Sequence, residues 1–191
     1  MSARIVECVP NFSEGRNQTV IDAISTAGRG IPGARVLGIE PDVDYNRTVL
    51  TIAGEPEAVS EAAFRVITAA LEHIDMRNHE GEHPRIGAVD VCPFIPLKNV
   101  TMEECVEMSK KLAQRVSREL YIPTFLYGAA ATSPERNLLS DLRKGQYEGL
   151  KNRLENGGPH LPDFGPIKWT ETVSRFGAVV IGARGILVAY N

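Results

Sequence analysis

Apolar periodicity along this chain alternates between two and about 3.6 residues in a fixed order, and that order limits the folds open to it. Residues 4–9 form a short β-rich run stopped by Pro10, and residues 11–16 read as a polar loop. Asn17 can cap a helix in which Val20, Ile21, Ile24 and Ala27 recur at helical spacing before Gly28. Residues 34–40 and 46–53 read as two strands. Pro56 then suits the first turn of a second helix, with Val59, Ala63, Val66, Ala70 and Ile74 along one face. Residues 86–92 follow as a fourth strand. The order strand, helix, strand, strand, helix, strand is the split βαββαβ pattern of ferredoxin-like α+β folds. It predicts an antiparallel or mixed sheet with helices on one face.

Beyond that unit, Thr101-Met102-Glu103-Glu104 is a capping box, and Cys105, Met108, Leu112 and Val116 continue a third helix from it. Residues 123–127 read as another strand. Residues 131–162 are polar, with helical propensity over 138–143 and 147–154, closed by Gly157-Gly158-Pro159. Residues 178–181 and 186–190 are again strand-like and read as the opening of a second domain, which sets a boundary between 176 and 177.

With 191 residues, 43% of them hydrophobic and 24% charged, the chain can bury a full core. A net charge of −3 supplies no basic field for a phosphate backbone, so nucleic acid is a poor partner. No stretch approaches the ~20 apolar residues of a membrane span, and residues 1–4 lead directly into a strand pattern, so a cytoplasmic protein is expected. Cys8, Cys92 and Cys105 are scattered and read as buried thiols.

Chemistry concentrates in His79-Glu80-Gly81-Glu82-His83-Pro84-Arg85, where a helical pattern gives way to a strand pattern. Three readings compete. Residues 79–83 spell HExxH, but Gly81 and Pro84 spoil the helix that would set both imidazoles around zinc. Cys8 or Cys92 could be a nucleophile with His83 as its base, yet their small apolar neighbours suggest packing. The third reading is general acid–base catalysis by one histidine, whose ordinary pKa of ~6.5 suits proton transfer near neutrality, with Glu82, Arg85 or Asp90 orienting the ring. Asp90, inside an apolar run, needs a partner in any case. Two other motifs fail on context. Residues 28–33 spell GxGxxG but leave a helix for a strand, the reverse of a dinucleotide loop. Residues 42–53 begin like a calcium loop, but Arg47 and Ala53 replace its glycine and glutamate.

Residues 7–15, 46–49, 81–85, 90–96 and 163–166 closely resemble, in the same order, the motifs of the glutamate formimidoyltransferase family, the formiminotransferase part of formiminotransferase-cyclodeaminase. The resemblance runs from the first strand to Asn191. It implies transfer of a formimino group between N-formimidoyl-L-glutamate and N5 of tetrahydrofolate, a co-substrate, with no metal. The essential histidine of Gly-Glu-His-Pro-Arg maps to His83, and His79 inherits no role and reads as surface. Arg47 and Arg85 become the candidate cations for substrate carboxylates. The family's folate-binding segment falls on Gly165, Pro166, Ile167, Lys168, Trp169 and Thr170 and runs on to Phe176 and Gly177. The resemblance also implies two similar subdomains around a folate groove. Residues 1–176 match the first and 177–191 the first strand region of an otherwise absent second. A homodimer is expected, and the alternative is a catalytically incomplete folate-binding or assembly module that needs a carboxy-terminal subdomain.

Overall fold

The computed structural model describes residues 3–157 and 161–187. In chain order the elements are β1 (Ile5–Cys8), β2 (Asn11–Phe12), α1 (Gln18–Ala27), β3 (Ala34–Asp42), β4 (Arg47–Gly54), α2 (Pro56–His73), β5 (Val89–Lys98), α3 (Met102–Leu120), β6 (Thr124–Gly128), α4 (Leu139–Leu142), α5 (Gln146–Asn156), α6 (Glu171–Phe176) and β7 (Val179–Ala183).

Local chemistry sets the helix starts. Asn17 accepts from the Thr19 and Val20 N–H groups ahead of α1. Pro56 sits in the first turn of α2. At α3 the capping box is complete: Thr101 Oγ1 accepts from Glu104 N–H at 3.2 Å, and Glu104 Oε2 accepts from Thr101 N–H at 2.8 Å. Each device satisfies N–H groups that a helix start leaves unpaired.

All seven strands form one mixed sheet, and with the helices it makes an α+β domain. Pro10 interrupts the first strand, leaving β1 and β2 as consecutive pieces that both lie between β4 and β5, antiparallel to each. The hairpin β3–β4 adds an antiparallel edge. Its turn is held by the Asp42 carboxylate, which accepts from Tyr45 N–H at 2.9 Å, and by Asn46 at φ 48°. On the other side β7 pairs in parallel with both β5 and β6.

That placement of β7 differs from the sequence expectation. Residues 179–183 do not open a separate unit; they fill the centre of the sheet's parallel half. Gly87 bridges to Gly177, and the Ala178 N–H donates to the Ile86 carbonyl at 3.0 Å, so the sheet runs straight across the expected boundary. Ile186 and Leu187 are exposed and outside any strand, and residues 188–190 of the expected final strand, like residues 158 and 159 of the expected loop closure, lie outside the described residues.

Helices on one face is corrected in the same half. Val89, Cys92, Phe94, Leu126, Val179 and Ile181 point into the main core with α1, α2 and α3. The alternate residues Val91, Phe125, Tyr127 and Val180 meet a second apolar cluster that includes Leu142 of α4 and Leu150 and Leu154 of α5. Parallel strands are stable when covered on both faces, which is why these strands read as unbroken apolar runs. The antiparallel half is different. Thr48, Leu50 and Ile52 of β4 are fully buried toward the helices, whereas Arg47, Val49 and Thr51 on the reverse face are only partly covered, and Leu37 of β3 is 63% exposed.

Candidate functional site

Three loops meet at one end of the sheet: residues 13–16 after β2, 43–46 between β3 and β4, and 79–88 before β5. Asn46 joins them. Its Oδ1 accepts from Gly15 N–H at 2.9 Å, its Nδ2 donates to the Glu80 carbonyl at 2.7 Å, and its own carbonyl lies 3.1 Å from His79 Nε2. Close approach is built in, since a Cβ on Gly81 would sit 2.6 Å from the Tyr45 carbonyl oxygen. Glycine is the residue that permits such backbone contact.

His79 is an anchor rather than a surface residue. Its Nδ1 accepts from Arg85 Nε at 3.2 Å, which leaves Nε2 as the protonated nitrogen that donates to Asn46. Burial, with Arg85 alongside, pushes its pKa down and favours the neutral ring this arrangement requires.

Arg85 is buried, and every N–H it carries is engaged. Nε goes to His79, Nη1 to Gln146 Oε1 at 3.1 Å and Glu148 Oε2 at 3.0 Å, and Nη2 to the His79 carbonyl at 3.3 Å and Glu148 Oε1 at 2.8 Å. Its geometry is that of a clamp tying the loop to the first turn of α5. The Tyr147 N–H adds a bond to the Arg85 carbonyl at 2.8 Å.

Asp90, fully buried, finds its partner in Arg143 at the end of α4: Arg143 Nε donates to Oδ2 at 2.9 Å and Nη2 donates to the same oxygen. Its Oδ1 accepts from Ile86 N–H at 3.0 Å. Burial pushes the Asp90 carboxyl up, with Arg143 opposing. The sequence marked Asp90 as needing a partner but could not point to Arg143, because that residue comes from the polar 131–162 region, where periodicity carries no register.

Among these loops His83 is partly buried, and its ring makes no hydrogen bond among the described residues. Tyr45 stands against it edge-on, with ring centroids 6.3 Å apart. Burial first, then the charges of Arg143, Arg47 and Arg85, lower its pKa from 6.5 to about 4. At neutral pH the ring is therefore an uncharged proton acceptor under the influence of nearby positive charge. Arg47 lies on the half-open face of β4. Its Nη1 reaches Asn11 Oδ1 at 3.4 Å, its guanidinium sits 5.8 Å from the Tyr45 ring centre, and its buried Nε has no partner. No carboxylate among the described residues pairs with it.

The 165–177 segment divides. Ile167 and Lys168 are exposed and, with Trp169, Leu154 and Glu155, border an open recess of about 490 Å³. The Trp169 ring lies 5.8 Å from that of Tyr147, tilted by 49°. Phe164 bridges to Thr124, and Gly165 and Pro166 follow it in the chain toward this recess. Thr170 caps α6, accepting from Val173 N–H at 3.2 Å. Phe176 is fully buried in the main core, and Gly177 at φ 83° makes the crossing beside Ile86. Helix α5 links the two areas, because its first turn clamps Arg85 while Tyr147, Leu154 and Glu155 adjoin Trp169.

Fold and loops together define a cluster of histidine and arginine side chains at one end of a mixed α+β sheet. The chain belongs to the formiminotransferase family: the family described as "Formiminotransferase domain, N-terminal subdomain" matches residues 5–184, a span that includes β7. It is 49% identical over 189 residues to a glutamate formimidoyltransferase of Streptococcus pyogenes serotype M1, covering 99% of this chain and 62% of that protein. Identity to a glutamate formimidoyltransferase of Thermoplasma acidophilum is 44%, with 98% and 61% covered. The formimidoyltransferase-cyclodeaminase of Rattus norvegicus is 49% identical, with 99% of this chain and 34% of that protein covered. The chain thus spans about three-fifths of the two transferases and a third of the bifunctional protein.

Proposed function

We propose that this chain forms the amino-terminal half of a glutamate formimidoyltransferase site, moving a formimino group between N-formimidoyl-L-glutamate and N5 of tetrahydrofolate. The observation that carries the reading is His83: in a domain of this family, its ring makes no hydrogen bond among the described residues, packs against Tyr45, and is subject to the charges of Arg143, Arg47 and Arg85. The strand order β3, β4, β1/β2, β5 favours describing the first four strands as a ferredoxin-like unit, extended by β7 and β6.

In the proposed reaction folate N5 attacks the amidine carbon, forming the N5–carbon bond. N5 becomes cationic and acidic as it does so, and a weak neutral base suffices to take its proton. His83 accepts it and returns it to the glutamate nitrogen as the carbon–nitrogen bond to glutamate breaks. A conjugate acid of low pKa is an effective donor in that second step. In this reading Arg47, which no carboxylate among the described residues pairs with, holds a substrate carboxylate, and Trp169 stacks a ring of the folate. Formation of 5-formimidoyltetrahydrofolate by the chain, alone and after adding the remaining two-fifths of a relative in trans, tests this. No product under either condition sinks it.

A second reading, an incomplete folate-binding or assembly module, draws on the length comparison and on the half-open sheet face beside Arg47. Folate binding without transfer in the complemented mixture would favour it. A homodimer and a cytoplasmic location belong to the main reading. The first is checked by sedimentation, where a monomer at micromolar concentration contradicts it. The second is consistent with Cys8 and Cys92, whose sulfur atoms lie 3.4 Å apart as free thiols.

A further inference from the structure

Among the cations around His83, Arg85 has no N–H left for a ligand, because His79, Gln146 and Glu148 take them all. Arg143 is differently placed. Its bonds to Asp90 use only Nε and Nη2 and end on a single oxygen, so Nη1 makes no hydrogen bond among the described residues, and the side chain keeps 18% of its surface exposed. The segment that carries it is fixed to the His83 loop at several points. Ile86 N–H reaches Asp90, Gln146 N–H donates to the Arg143 carbonyl at 2.7 Å, and Gln146 and Tyr147 both bond Arg85. Asp90 therefore aims Arg143 and steadies the backbone three residues past His83 with the same carboxylate. A cation gripped along one edge and open along the other can receive a second carboxylate without moving.

We infer that Arg143, aimed by Asp90, is a specificity-determining residue that binds one carboxylate of a dicarboxylic amino-acid substrate, while Arg47 binds the other. The inference rests on the transferase reading and adds to it the residue that selects the substrate's charge. His83 is depressed more by Arg143 than by any other charge, which agrees with a position beside the reacting nitrogen. Arg143 is outside every motif that carries the family resemblance, and only the folded contacts bring it to the site.

Binding of three probes by the 191-residue chain tests the assignment: L-glutamate, L-glutamine and L-isoglutamine, the last two each carrying an uncharged amide in place of one carboxylate. The wild type should bind glutamate about tenfold or more tighter than either amide, the range for a hydrogen-bonded charge pair. Arg143→Gln should abolish one of these two preferences and leave the other, and Arg47→Gln should do the converse. Because Arg143→Gln strands a buried carboxylate, the pair variant Asp90→Asn/Arg143→Gln is measured beside it; Asn can still accept from Ile86 N–H, and the same preference should vanish. A purely structural Asp90–Arg143 pair would leave both preferences intact, and that result, or a wild type with no preference, overturns the assignment. Transfer assayed on the same preparations separates the two ideas. Product formation with no charge preference removes Arg143 alone, whereas charge preference without transfer in the complemented mixture removes the transferase reading.

Discussion

Two histidines four residues apart carry opposite duties. His79 has both ring nitrogens engaged in holding Asn46 and Arg85, while the His83 ring has none engaged among the described residues. Both are depressed below 6.5, His83 to about 4, so the folded protein favours their neutral forms. For a base with a lowered folded pKa, the associated stability is fully present above pH 6.5 and is lost as pH falls through 6.5 toward about 4. Urea midpoints should therefore drop between pH 7 and pH 5, and His79→Gln/His83→Asn should flatten that slope. An unchanged slope would contradict the burial of these rings. Removing one flanking charge should act in a known direction: in Arg47→Gln, the His83 resonance titrates at higher pH than in the wild type. A titration that stays put or moves lower would remove Arg47 from its surroundings. The residue pattern alone separated these histidines only through the family resemblance, because each sits equally well in a polar turn. The fold-level reason is Asn46, whose three bonds need the whole loop cluster to exist.

At the level of elements, the helices α1 to α3 and the β3–β4 hairpin were legible because caps, Pro56 and periodicity are local signals. The strand β7 was legible as a strand but not as a neighbour of β5 and β6, because a buried parallel strand reads the same wherever it pairs. Its insertion depends on the crossing at Gly87 and Gly177. A Cβ on Gly87 would lie 2.1 Å from the Ala178 carbonyl oxygen, and backbone cannot yield as a flexible side chain can. Gly87→Ala should cost about 1–3 kcal/mol or more, read from denaturant unfolding, with Gly149→Ala, inside α5 and meeting nothing within 4 Å, as the control that should gain up to about 1 kcal/mol. Equal stability of the two variants would show that the crossing is looser than described. The α4–α5 layer was the least legible part. Its main anchors, Arg143 to Asp90 and Glu148 to Arg85, are long-range ion pairs that no helical period announces.

For the whole molecule, the division of labour follows the two halves of the sheet. The parallel half, covered on both faces, is a rigid base for the loops. The antiparallel half keeps a partly covered face that begins at Arg47, beside His83. The chain spans about three-fifths of the two related transferases. In the proposed reaction His83 moves the proton. The most direct test is steady-state formimino transfer to tetrahydrofolate by the chain complemented with the missing portion of a relative, comparing wild type with His83→Asn while folate affinity is measured in parallel. In His83→Asn kcat should fall by at least about 100-fold with folate affinity unchanged; a His83→Asn protein with full kcat would show that another group carries the proton.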